Sequence, residues 1–426
     1  MKRILAAMVV LVCASGMPAP VAAQGTQNPE RLRVAVDGVG DLDYLRTELN
    51  WVEYVRDRQV ADVHVFVTNR STGPGGREYT LEFIGRGTFQ AKTDTVTWIS
   101  SVDDTDDVRR QGLVGVIKMG LMRYVASTPL ANRVTIAVAA GEEGTSAAPP
   151  RDPWNAWVFA INGNGYFAGQ SLQNFSFMNL SLSANRITAA WKVRTSVNAA
   201  YNEDNFELND STDIKSVARS YSGSVLVAKS IGPRLSAGIQ TGVESSTFGN
   251  VELAWRIAPG IEFDVFPYSE STRRSFTILY TAGLSSWDYR ERTIYDEIGE
   301  TRPTHALWFD FSTRQPWGNT TVRVRGSQFL HDTDKYRWSG SLFGDVRLFR
   351  GFSVGIGASY SRILDQLALP AGEASEAEIL LRRRQLQTNY SFSLNFGIQY
   401  RFGSIFNTVV NPRFASGIGS GSVVEF

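Results

Sequence analysis

The chain has 426 residues, with 43 Lys+Arg against 42 Asp+Glu and a formal net charge of +1. That balance lacks the basic excess of a nucleic-acid binder, and a hydrophobic content of 43% excludes wholesale disorder. No long apolar run follows the N-terminus, which argues against membrane helices, but 38 Gly and 12% aromatics fit strands that show lipid only every second residue.

Lys2 and Arg3 precede an apolar run from Ile4 to Val12, and small residues lead to Val21-Ala22-Ala23. These are the three parts of a secretory signal peptide, with cleavage expected after Ala23, so residues 1–23 are assigned to it. Cys13, the sole cysteine, lies inside that segment. The processed chain then has no disulfide and no thiolate chemistry.

Residues 24–140 read as a small periplasmic α/β domain. Residues 33–36 predict a strand and residues 41–58 a helix, through Leu42, Leu45, Leu49 and Val52. Val63, Val65 and Val67 alternate, as do Tyr79, Leu81 and Phe83, and residues 95–99 add a further short strand. Residues 103–126 predict a second helix with Leu113, Val116, Ile117, Leu121 and Tyr124 on its apolar face, and residues 133–138 a closing strand. Gly38-Val39-Gly40 follows a strand, but Asp43 sits where a dinucleotide fingerprint needs a small residue, so a plain turn is the better reading. Asp103, Asp104, Asp106 and Asp107 lack the Gly and Glu of a calcium loop and suit a helix N-terminus. His64 reads as a structural strand residue, and three histidines in all give no metal site. No cofactor is expected.

Residues 141–153 are rich in Gly, Ala, Ser and Pro and read as a linker. From there to residue 402 the period is two. The clearest case is the last strand, where Phe392, Leu394, Phe396, Ile398, Tyr400 and Phe402 share one face and Ser391, Ser393, Asn395, Gly397, Gln399 and Arg401 the other. This pattern resembles the C-terminal insertion signal of outer-membrane barrels, here followed by 24 residues. Strands are expected at 154–166, 172–186, 187–203, 214–230, 232–247, 249–266, 273–289, 302–314, 318–331, 335–349, 351–365 and 385–402. Short turns alternate with longer connections near 167–171, 204–213, 290–301 and 366–384, as periplasmic turns alternate with external loops, although 247–249 is short. Pro259 lies inside a strand, and a bulge is expected there.

The fold class is therefore α+β overall, a periplasmic α/β domain followed by an antiparallel transmembrane β-barrel of twelve strands over residues 154–402, with residues 403–426 a periplasmic tail. The even count puts both barrel ends on the periplasmic side. The inward face collects Lys192, Arg194, Glu244, Glu252, Arg256, Glu262, Asp264, Asp310, Arg323, Arg325, Arg337, Asp345, Arg347 and Arg401. These charges either plug the lumen or line a small selective path. Asp310 falls opposite Arg323 and Arg325 across one hairpin. A barrel hydrolase acting on lipids is the alternative, but His305, His331 and Ser327 are not set at one depth. Expected partners are outer-membrane lipid, lipopolysaccharide (through Arg382, Arg383 and Arg384) and a periplasmic protein, with no nucleic acid.

Several stretches carry a family resemblance: Phe266-Pro267-Tyr268-Ser269-Glu270-Ser271-Thr272-Arg273-Arg274, Arg314-Gln315-Pro316-Trp317-Gly318, Leu348-Phe349-Arg350-Gly351-Phe352-Ser353, Tyr360-Ser361-Arg362-Ile363 and Phe406-Asn407-Thr408-Val409-Val410-Asn411-Pro412. Through them residues 151–412 resemble outer-membrane barrels often called salt-induced outer-membrane proteins. The resemblance implies a barrel in the outer membrane and carries no catalytic residues.

Overall fold

The computed structural model describes residues 31–72, 75–135, 152–209, 212–372, 386–404, 408 and 410. The segment expected to be a signal peptide, almost all of the expected linker, the arginine cluster at 382–384 and most of the expected tail lie outside the described residues.

The α/β domain is a five-stranded sheet in the order β2-β1-β3-β4-β5. Its elements are β1 (Arg33–Asp37), α1 (Leu42–Glu48), β2 (Glu53–Tyr54), β3 (Val63–Ser71), β4 (Arg77–Gly85), β5 (Thr93–Ser100) and α2 (Asp106–Val125). β1 is parallel to β2 and β3, and β3, β4 and β5 run antiparallel. The core is conventional: Leu45, Leu81, Phe83, Ile117, Leu121 and Tyr124 are buried in one cluster. α2 lies close on the sheet because Gly112 and Gly120 leave room for Trp98 and Phe83; a Cβ at residue 120 would stand 2.0 Å from the Phe83 ring. Thr105 caps α2, and Asp106 and Asp107 occupy its first turn, so the acidic run serves the helix terminus.

Two local expectations fail. The helix expected over 41–58 stops at Glu48, and Glu53–Tyr54 instead forms β2. Leu49 and Val52 are still buried, because the strand edge buries the same residues that helical spacing would. The strand expected at 133–138 is absent where it is described: Pro129–Arg133 is a 3-10 turn begun by proline, residues 134–135 are irregular, and 136–138 lie outside the described residues.

The second region is a twelve-stranded antiparallel sheet in which each strand pairs with the next in sequence. The strands are β6 (Trp157–Gln170), β7 (Gln173–Ile187), β8 (Trp191–Asn209), β9 (Thr212–Ser230), β10 (Leu235–Ser246), β11 (Val251–Asp264), β12 (Arg274–Tyr289), β13 (Gly299–Gln315), β14 (Gly318–Phe329), β15 (Tyr336–Phe349), β16 (Phe352–Ile363) and β17 (Tyr390–Tyr400). All twelve expected strands are present one for one. The sheet curls so that residues of β8, β11 and β13 line a common interior. β6 and β17 show no pairing with each other among the described residues. Phe396 on β17 is 75% exposed, against 46% for Leu253 in mid-sheet, as an unpaired edge requires.

Three of the four longer connections are shorter than expected, because the strands extend into them, whereas the last, between Ile363 and Tyr390, is longer. Only residues 171–172 join β6 to β7, and β8 and β9 run on to Asn209 and Thr212. Pro259 causes no bulge. Register stays constant on both sides of it, and the β11–β12 ladder merely skips Ala258 and Pro259. The bulge lies at the other end of β11, at Glu252, between Val251 and Leu253.

Candidate functional site: the lumen and its capped rim

Strand register fixes which side chains share the interior. Arg256 pairs with Gly242 and Ser285, Asp310 with Arg323, and Arg325 with Trp308. Leu253, Trp255, Ile257, Ile261 and Phe263 point outward and are exposed. The polar face is thus inside and the apolar face outside. On β17, Ser359 of β16 bonds Ser393 on the inner face, while Phe392, Leu394, Phe396, Ile398 and Tyr400 lie on the outer one. Phe402 follows just beyond the strand, where its ring packs near Tyr400.

Two cavities in the interior are lined by described residues. One of about 1070 Å³ opens toward the α/β domain and is lined by Lys192, Arg194, Glu262 and Asp264. The other, about 390 Å³, lies nearer the opposite end and is lined by Arg256, Arg325, Glu244 and serines of β9, β12 and β14. Buried Ala258 and Thr281 narrow the interior near Arg256, whose Nη2 donates to the Thr281 hydroxyl at 3.3 Å. Asp310 and Arg323 form the expected pair at 2.9 Å. Arg325 instead lies 4.2 Å over the Trp308 ring. Asp345 faces inward between Asn319 and Gly355.

Four residues expected to line the lumen act at its ends. Glu252 is turned aside by its bulge and pairs with Arg290 of the outer loop at 2.8 Å. Arg337 pairs with Asp365 of the β16–β17 connection at 2.9 Å. Arg347 reaches Asp37 of the α/β domain at 3.6 Å. Arg401 lies beyond β17, at the domain-facing rim. Among these, only the bulge at Glu252 overturns simple alternation; the others are long arginines at strand ends, which reach past their own rung.

The end of the sheet away from the α/β domain carries its own small core. Val251, Tyr289, Phe329, Leu367 and Leu369 are buried. Asn250 ties two loops together, donating to the Glu291 and Ala368 carbonyls at 2.9 Å each.

The opposite end meets the α/β domain. Arg273 pairs with Glu82 at 3.1 Å and lies 5.0 Å over the Phe66 ring. Arg314 donates to the Asn69 carbonyl at 2.7 Å, and Arg350 pairs with Asp57 at 2.9 Å. Arg58 donates to the Pro316 carbonyl, and the Thr408 hydroxyl accepts from the Tyr54 amide at 3.1 Å. His64 is fully buried, with Nε2 2.9 Å from Asp37. Burial pushes the Asp37 carboxyl up, but the His64 hydrogen bond and the Arg347 and Arg58 charges prevail and hold it below its ordinary value. Sequence reading took His64 as structural and the rim stretches as turns. The missed signal is that those turns carry arginines while the facing strands of the small domain carry carboxylates.

His305 and Ser327 fall on alternate faces in this register, although both border the smaller cavity. His305 is outward, with Tyr280 at 3.4 Å and Gln328 at 3.2 Å, whereas Ser327 is one rung out of phase and inward. Among the described residues no group of three or more His, Cys, Asp or Glu is arranged to hold a metal ion.

No family model matches the chain, and no curated protein does. Among solved structures the chain is similar to the NanC porin, with a TM-score of 0.29 and 9% identity over 57% of this chain and 99% of that one. It is also similar to the translocator domain of the autotransporter NalP from Neisseria meningitidis, with a TM-score of 0.18 and 10% identity over 58% of this chain and 82% of that one. At such scores the likeness carries no argument, and the fold class rests on the strand pairing itself.

Proposed function

We propose that this chain is an outer-membrane barrel protein whose α/β domain lies in the periplasm and gates a small-solute path through the lumen. The observation that supports it most is the docked rim, where Arg273 and Arg350 of two connections and Arg347 near the end of β15 engage the one side of the small domain that carries Asp37, Asp57 and Glu82. The outward aromatic and aliphatic face suits lipid, and the charged inner face suits water and polar solutes. The location, the resemblance to salt-induced outer-membrane proteins, the lipopolysaccharide contact and any periplasmic protein partner belong to the same reading. A lipid hydrolase is the weaker alternative, since Ser327 and His305 point to opposite sides.

The test is planar-bilayer conductance of the refolded full chain. Wild type is expected to stay closed with rare steps, Arg273→Glu to show frequent steps, and Arg273→Glu with Glu82→Arg to close again. A wild type that conducts as freely as Arg273→Glu would refute gating. Silence from the single variant, with the barrel shown to be folded, would mean a plugged lumen.

A further inference from the structure

A cleft of about 150 Å³ lies where the α/β domain meets the rim, lined by Arg56 and Arg58 on one side and Arg347, Arg350 and Arg401 on the other. Among the described residues Asp57 is its only lining carboxylate. Arg350 is paired with Asp57 and Arg347 with Asp37, so two carboxylates face five guanidinium groups. Arg58 and Arg56 have only carbonyl acceptors, on Pro316 and Gly403, and the Arg401 side chain shows no hydrogen bond or ion pair among the described residues. Burial and the nearby Arg347 charge push Arg58 below its ordinary pKa, as expected where like charges crowd together. Gln59, Ser353 and Gln399 add neutral polar groups to the same walls.

We propose that this cleft binds a phosphate group, which bridges the α/β domain to the barrel rim. Guanidinium forks match tetrahedral oxyanions with paired N–H donors, and several forks converging on one point favour an anion with more than one charged oxygen. The volume, about five times the share of one water in the liquid, has room for one phosphate. A lipid headgroup is a possible source beside free phosphate, because the Phe349, Phe352 and Tyr400 rings cluster on the outer face at the same strand ends. The proposal rests on the docked arrangement but not on gating, since binding is read without any conductance.

The experiment uses the full chain folded in an uncharged detergent. Inorganic phosphate is titrated at constant ionic strength against chloride, with thermal unfolding as the readout, and the chain is then placed in phosphatidylcholine vesicles with and without phosphatidylglycerol. Phosphate is expected to raise the midpoint where chloride does not, and Arg56→Gln and Arg401→Gln each to weaken binding about tenfold, with Arg401→Lys recovering part of it. A response to phosphatidylglycerol but not to free phosphate would identify the lipid as the source. No response to either, or unchanged binding in both Gln variants with folding verified by heat-dependent gel mobility, would overturn the proposal. The Arg401 side chain has no hydrogen bond or ion pair to lose among the described residues, and its backbone bond to Gly351 is kept in the variant, so that variant separates binding from folding.

Discussion

The two regions of this molecule use hydrophobicity in opposite directions. The α/β domain hides Leu81, Phe83, Leu121 and Tyr124 inside and shows charge outside. The twelve-stranded sheet shows Leu253, Ile261 and Phe263 outside and keeps Arg256, Glu262 and Arg325 within. The same alternation along a strand serves both, and the chemistry of the inward residue decides which solvent each side was made for. Where the two meet, neither rule applies, and the contact is made of ion pairs and hydrogen bonds carried mostly by arginines.

The sharpest way to break the comparison is to put a charge where each region forbids it. Phe83→Asp buries an unpaired carboxylate in the small domain and is expected to cost several kcal/mol (about 4) and to abolish its urea-unfolding transition. Ile257→Arg places a charge on the outer face and is expected to cost about 2–4 kcal/mol of barrel stability in lipid, read by reversible unfolding in bilayers. Ser224→Arg on the inner face is the control and is expected to change little. If the outer and inner variants behave alike, the inverted arrangement is wrong.

The contact between the regions should respond to solvent conditions that leave both cores intact. Exposed ion pairs contribute about 0–1 kcal/mol each, and 1 M salt screens beyond roughly 3 Å, so limited proteolysis of the junction is expected to accelerate in high salt. Because Asp37 is held below its ordinary value, its contribution is complete above about pH 5 and is lost as pH falls through the lowered value. Asp37→Asn should remove that acid dependence, leaving other carboxylates to account for what is left. The smallest effect belongs to Asp310→Asn, which opens the exposed pair with Arg323 and is expected to cost no more than about 1 kcal/mol.

Much of this was legible in the residues. All twelve strands could be placed because period two persists over long runs, and Asp310 opposite Arg323 followed from hairpin register alone. The end of α1 was not legible, since Leu49 and Val52 are buried whichever element carries them. Pro259 misled because a missing donor interrupts a ladder without shifting its register. The junction was the least legible part: Glu82 and Arg273 lie far apart in sequence, and each alone looks like an ordinary surface charge.

The neighbour-to-neighbour order of the large sheet bears on how the chain assembles. Every ladder there joins consecutive strands, so the contacts are local, most hairpins close a short loop and the entropy lost per step is small, the connection between Ile363 and Tyr390 being the longest. The rim contacts are different: Arg314 meets Asn69 across 245 residues, and Tyr54 meets Thr408 across 354. The first gains nothing until β13 exists, and the second nothing until the last strand does. Synthesis delivers the small domain first, yet its seat is finished last, so for most of assembly it is a folded passenger on an unfinished frame. A pulse-labelling experiment should find β3 and β4 protected well before Arg273 and Arg350 are engaged.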